Sequence, residues 1–214
     1  MKKIFLSLLL AASFSLFAQN TAKDFFAKNE MVWFGINFSE AKMVGQFDQG
    51  MGAAPATGAD IKNKWISGWN GIVIAEPKNF KIKESFHKDD VYFDLSPNEK
   101  LNSTIKSDDL MTFNTYEFKD AQKTIKQVVS KLTGGDKTEG LGVVFVVESF
   151  DKGANQAIIY VTIFDIKTRN ILITEKVKGT PKGIGLRNFW AGAIKDVINK
   201  VNSTYYGNWK SNAK

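Results

Sequence analysis

The sequence predicts an α+β fold, with a mainly antiparallel or mixed sheet, about three helices packed on it, and a C-terminal β-meander followed by a long amphipathic helix. Three observations predict it. Residues 141–150, 156–166 and 171–178 are β-branched and aromatic runs separated only by the short turns DKGAN and KTRN, and such neighbours pair most naturally as an antiparallel meander. Leu186, Phe189, Trp190, Ala193, Ile194, Val197, Ile198 and Val201 then recur at helical spacing, so a long helix should lie across that sheet. Strands and helices are, in addition, partly segregated along the chain.

Residues 1–18, MKKIFLSLLLAASFSLFA, read as a secretory signal peptide: Lys2 and Lys3 precede an apolar core, with cleavage expected after Ala18. That core is short of the roughly 20 residues needed to span a bilayer, and no later stretch is apolar enough. Residues 19–214 are therefore expected to form a single periplasmic or secreted domain without a transmembrane segment.

Residues 31–39, MVWFGINFS, predict a strand whose Trp33 and Phe34 face opposite sides, and residues 42–44 a second extended piece. Residues 46–58, rich in Gly and Ala, predict a long loop. Asp60 is the expected cap of a helix with the stripe Ile61, Trp65, Trp69, Ile72 and Val73, which places both tryptophans in the core. Residues 80–86 alternate as FKIKESF and residues 91–95 read VYFDL, predicting two short strands. Residues 96–112 are polar and predict a loop. From Phe118, the spacing of Ala121, Ile125, Val128, Val129 and Leu132 predicts another helix, stopped at Gly134 and Gly135. Lys119, Lys123 and Lys126 form a basic stripe on its opposite face. After Tyr206 a polar, frayed tail is expected, in which Trp209 suits either an interface or docking on its own domain.

The chain has 214 residues and no cysteine, which excludes disulfides, iron–sulfur and zinc-thiolate sites, cysteine nucleophiles and lipid attachment through a lipobox. His87 is the single histidine, which excludes most multi-histidine metal sites and any catalysis needing two imidazoles. Lysine and arginine number 29 against 22 acids; without Lys2 and Lys3 the balance is 27 against 22, a net +5. Only Arg169 and Arg187 are arginines, the side chain that grips phosphate and guanine in a fork, so no nucleic-acid partner is expected. The lysine-rich surface reads first as a solubility device and second as a weak polyanion contact.

Residues 179–187, GTPKGIGLR, join a strand to a helix. Lys182, Gly183, Gly185 and Arg187 make this a candidate anion-binding loop, with a flexible connection as the plainer reading. It is neither a P-loop nor a dinucleotide fingerprint, since Asn188 stands where the last glycine is required. His87 with Asp89, Asp90 and Asp94 reads as a solvated turn rather than a metal site, and Asp108–Asp109 as loop or capping rather than an acid/base pair. No GxSxG, HExxH or EF-hand pattern occurs. No catalytic residue, cofactor or metal is expected; a carboxylate-only hydrolase is a distant third reading.

The segment Ile163-Phe164-Asp165-Ile166-Lys167-Thr168 to Ile171-Leu172, followed by the helix from Leu186, resembles a pattern of bacterial envelope-assembly proteins. In the curli-secretion lipoproteins, the penicillin-binding-protein activator lipoproteins and the TolB amino-terminal domain, a strand ends in a turn of the type V-D-x-x-T-G-x-x-L before a second strand and a long helix. Here Arg169 replaces the usual glycine, and without cysteine the resemblance carries no lipid anchor. It implies a protein that binds other envelope proteins and is not an enzyme. The expectation is thus an exported non-catalytic envelope protein that binds another envelope protein. The alternative is a binder of a small or polyanionic ligand, such as a lipid headgroup or wall glycan, through the lysine-rich face.

Overall fold

Two runs with almost no polar interruption, EMVWFGIN and LGVVFVVESFD, form strands that are buried along nearly their whole length. A strand can lose both faces to solvent only where helices cover both sides of the sheet, the situation typical of parallel pairing. A computed structural model describes residues 20–50 and 52–213; the expected signal peptide, residues 1–18, lies outside the described residues. In chain order these residues form α1 (Ala22–Ala27), β1 (Glu30–Asn37), β2 (Lys42–Val44) and α2 (58–75, with a π-helical stretch at Ile61–Trp65). Then come α3 (Ile82–Ser85), β3 (Asp90–Phe93), α4 (Ser96–Ser103), α5 (Ser107–Leu110), β4 (Met111–Thr112) and α6 (Ala121–Lys131). β5 (Leu141–Asp151), β6 (Gln156–Asp165), β7 (Ile171–Gly179) and α7 (185–212, with a π-helical stretch at Val201–Tyr205) complete them.

The expected α+β fold with a mainly antiparallel sheet is corrected: the fold is mixed α/β, and its sheet is largely parallel and curled. β1 pairs in parallel with both β3 and β5, and β2 with both β4 and β5. Among the described residues only β5–β6 and β6–β7 pair antiparallel. The cause lies in the connections. Helices separate β1 from β3 and β3 from β5, and a chain that returns through a helix re-enters the sheet in the same direction. β6 lies along the whole of one edge of β5, whereas β1 and β2 share the other edge in succession.

Each face has its own core. Trp33, Ile36, Val143, Phe145 and Val147 pack with α2, α3 and α7, through residues such as Trp69, Phe86, Trp190 and Ile194. Val32, Phe34, Val144 and Val146 pack on the other side with Ile125, Val128 and Val129 of α6 and with Leu132 just after it. Trp33 and Phe34 thus serve opposite faces, and Trp69 is fully buried with Trp65 packed at the margin.

Four local expectations are corrected as well. Residues 80–86 hold a helical turn: after the buried Phe80, the inward residues Ile82, Ser85 and Phe86 fall at i, i+3 and i+4. Residues 96–112 are mostly helical; α4 turns Asn98 and Asn102 inward, so its buried side is polar. Thr57, not Asp60, caps α2, with Asp60 as the reciprocal partner of a capping box. The tail is not frayed: α7 continues to Asn212, with Tyr206 and Trp209 buried.

The asparagines complete β1 where β3 stops pairing with it, after Trp33. Asn70 of α2 accepts the Ile36 N–H (2.7 Å) and donates to the Ile36 carbonyl (3.0 Å). Asn102 accepts the Phe38 N–H (2.7 Å) and donates to the same carbonyl (3.0 Å). Asn37 donates to Asn98 Oδ1 (2.8 Å). Gly35, at φ +88°, is required here: a Cβ would lie 2.5 Å from Asn70 Oδ1 and 2.7 Å from the Leu95 side chain.

Candidate functional site

β2, β5 and β7 run in the same direction, so their carboxyl ends emerge together, at the edge where open α/β sheets place their sites. Three segments leave the sheet there: the loop after β2, the turn after β5, and residues 180–184 leading into α7. Between them lies a cleft of about 230 Å³, walled by Phe47, Leu186, Phe189 and Trp190, with Lys152 and Asp48 as its charged side chains.

An aromatic stack fixes this wall. Trp190 lies between Phe47 (centroids 5.2 Å apart) and Phe150 near the end of β5 (4.6 Å), with Phe189 edge-on at 5.3 Å. The Trp69 indole donates to the Arg187 carbonyl (3.1 Å) and so holds the first turn of α7. The Ala56 N–H donates to the Phe47 carbonyl (2.7 Å) and closes the loop. Trp190 itself is fully buried, and its Nε1–H has no acceptor among the described residues.

Lys152 Nζ stands 4.2 Å from the centre of the Phe189 ring and has no carboxylate within ion-pair distance among the described residues. Asp48 is exposed and accepts a hydrogen bond from Gln46 Nε2 (2.9 Å). Ile184 occupies the N-cap of α7, where it offers no side-chain acceptor, and is 93% exposed.

The candidate anion loop is divided between two sides. Gly183 and Gly185 line the cleft. Lys182 borders a separate depression beside Glu76, Asn79 and Lys195, and its backbone N–H is spent on the Phe189 carbonyl (3.1 Å). Gly192 makes this docking possible, because the Lys182 carbonyl occupies the space a Cβ would need. Arg187 reaches Glu76 at 4.0 Å. Lys119, Lys123 and Lys126 lie on the opposite side of the sheet, with α6; all three are exposed and without an ion pair among the described residues. Asp120 between them caps α6 by accepting the Lys123 N–H (2.9 Å).

His87 and the aspartates near it are not brought together. His87, at φ 51°, stacks on Tyr206 (4.0 Å) and hydrogen-bonds Asn202 (2.8 Å), while Asp94 accepts from Ser96 Oγ and from the Asp136 N–H (2.8 Å each). Among the described residues, no group of three or more His, Cys, Asp or Glu side chains is placed to hold a metal ion.

Sequence reasoning passed over two charged residues. Glu148, 1% exposed, is the extra residue where the register of β5 against β6 slips between Val147 and Ser149. It accepts the Phe118 N–H (2.9 Å) and the Tyr160 hydroxyl (3.3 Å) and pairs with Lys176 (3.0 Å). Burial, reinforced by the Glu148 charge, holds the Tyr160 hydroxyl above its ordinary pKa. The group pins the segment ahead of α6, and its signal was one acid inside an apolar strand. Lys88, 4% exposed, donates to the carbonyls of Phe25 and Lys28 (2.7 Å for the latter) at the end of α1, and burial pulls its pKa down to about 8.

No family model, curated protein or solved structure matches the chain. Among the described residues no helix is long and apolar enough to cross a membrane.

Proposed function

We propose that the chain is an exported, non-catalytic protein of the bacterial cell envelope that docks on another envelope protein through the cleft at the carboxyl end of its sheet. The observation that carries this reading is Ile184, a large aliphatic side chain 93% exposed beside an aromatic slot. An apolar side chain held in water next to a ready apolar wall is the arrangement of a partner contact. The signal-peptide pattern supports the address, and the likeness of the hairpin and last helix to envelope-assembly domains supports the type of partner.

The test is capture from envelope extract by the tagged mature chain, residues 19–214, at low and at physiological salt, alongside Ile184→Asp. A discrete protein retained at physiological salt by the parent chain and lost with Ile184→Asp is the expected result. Retention at low salt alone, with lipid or glycan eluting, favours the alternative binder built on the exposed Lys119, Lys123 and Lys126. Capture of nothing at either salt rejects both.

A further inference from the structure

We infer that the cleft is a receptor for the carboxyl-terminal residue of a partner polypeptide, taking its α-carboxylate beside Lys152 and its apolar side chain against Phe47, Leu186, Phe189 and Trp190. The inference rests on the docking reading above and names what docks.

Size comes first. A volume of about 230 Å³ falls below the roughly 300–1,000 Å³ of sites that enclose cofactors and drug-sized ligands, and suits a single large side chain. The wall is apolar on the side of α7 and the loop after β2, so the group that enters must be apolar. Charge points to the same occupant. Lys152 lines the cleft, has no carboxylate partner among the described residues, and sits over the Phe189 ring of the apolar wall.

The 16-residue first stretch of α7 begins at the same cleft with no side-chain cap among the described residues, which leaves its first-turn N–H groups and the positive end of its dipole open to an acceptor. Trp190 in the wall holds a buried indole N–H with no acceptor among the described residues. Asp48 is the opposing charge; exposed at the cleft and held by Gln46, it disfavours a bare anion and can accept a backbone N–H of an incoming peptide. An internal side chain of a partner would fill the slot but leave Lys152 unanswered. A chain terminus supplies both groups on a single residue.

The experiment titrates the mature chain with two probes, acetyl-Gly-Ser-Gly-Ser-Phe as the free acid and the same peptide as its C-terminal amide. It follows heat and the indole N–H resonance of Trp190. The free acid should bind at least about tenfold more tightly than the amide and shift that resonance. Lys152→Met should erase the difference, while Lys131→Met, exposed at the end of α6 on the far side of the sheet, should leave it intact. Equal binding of acid and amide, displacement of the peptide by acetate at comparable concentration, or no binding of either at millimolar concentration overturns the inference. If a partner is still captured by Lys152→Met, or after its own carboxyl terminus is amidated, docking stands and this inference alone fails.

Discussion

Arg169 takes the position at which the envelope-assembly pattern carries glycine, and it does so at φ 62°. Its neighbours explain the pattern: Asp165 Oδ1 accepts the Thr168 N–H (2.7 Å) and hydroxyl (2.8 Å), while Oδ2 accepts from Asn20. The D-x-x-T signature is therefore turn chemistry in this chain, with one left-handed residue that glycine fits best. Arg169 also buries Nη1 without an acceptor among the described residues. Arg169→Gly should raise stability by about 0.5–1 kcal/mol in urea denaturation, because relief of the left-handed strain exceeds the entropy glycine adds to the unfolded chain.

Lys88 makes a second prediction at this scale. Burial lowers its pKa to about 8 from 10.5, so between those values the unfolded chain holds a proton that the folded chain has released. Stability should rise with pH through that window, and Lys88→Met should flatten the rise in urea midpoints measured from pH 7 to 10. Asp165 acts in the same sense, in the acid range. Burial raises its pKa, but the Thr168 and Asn20 hydrogen bonds outweigh that and leave it lowered. Its stabilisation is present above the ordinary aspartate pKa and is lost as pH falls through the lowered value.

At the scale of elements, what could be read depended on which residues faced inward. The three strands 141–179 and the helix after them were legible because their buried positions are apolar and regularly spaced. α4 was not, because its inward residues are Asn98 and Asn102, which hydrophobic periodicity does not register. The direction of pairing was legible in principle: β1 and β5 are apolar on both faces, and strands covered on one side alternate. The cleft was half visible. Gly183 and Gly185 belong to a loop that drew notice as a sequence, whereas Phe47 and Lys152 come from connections far away in the chain and meet it only through parallel pairing.

The asparagine contacts supply this scale's prediction. Asn70→Leu should cost about 1–3 kcal/mol, since it strands the buried Ile36 N–H, while the Ile36 carbonyl keeps its bond from Asn102. Asn102→Leu should cost a similar amount through the Phe38 N–H, and equilibrium unfolding of both single variants checks it.

Across the whole molecule, the end of α7 gathers parts that are distant in sequence. Tyr206 stacks on His87 at 4.0 Å and meets Phe26 of α1 at 5.3 Å, while the Trp209 indole donates to Glu175 of β7 (3.1 Å). A frayed tail would tolerate any substitution here. Trp209→Ala should instead cost about 3–5 kcal/mol, read as a lowered thermal midpoint, because it empties a buried aromatic site.

That gathering also fixes where handles can be attached. α1 and the end of α7 meet at the amino end of the parallel strands, and the cleft opens at the carboxyl end. The 11 residues of β5 between them span roughly 35 Å. A tether, tag or surface joined to the chain at residue 20 or at residue 212 therefore holds the molecule like a lamp bracket: fixed at one end, with its opening facing away from the mount.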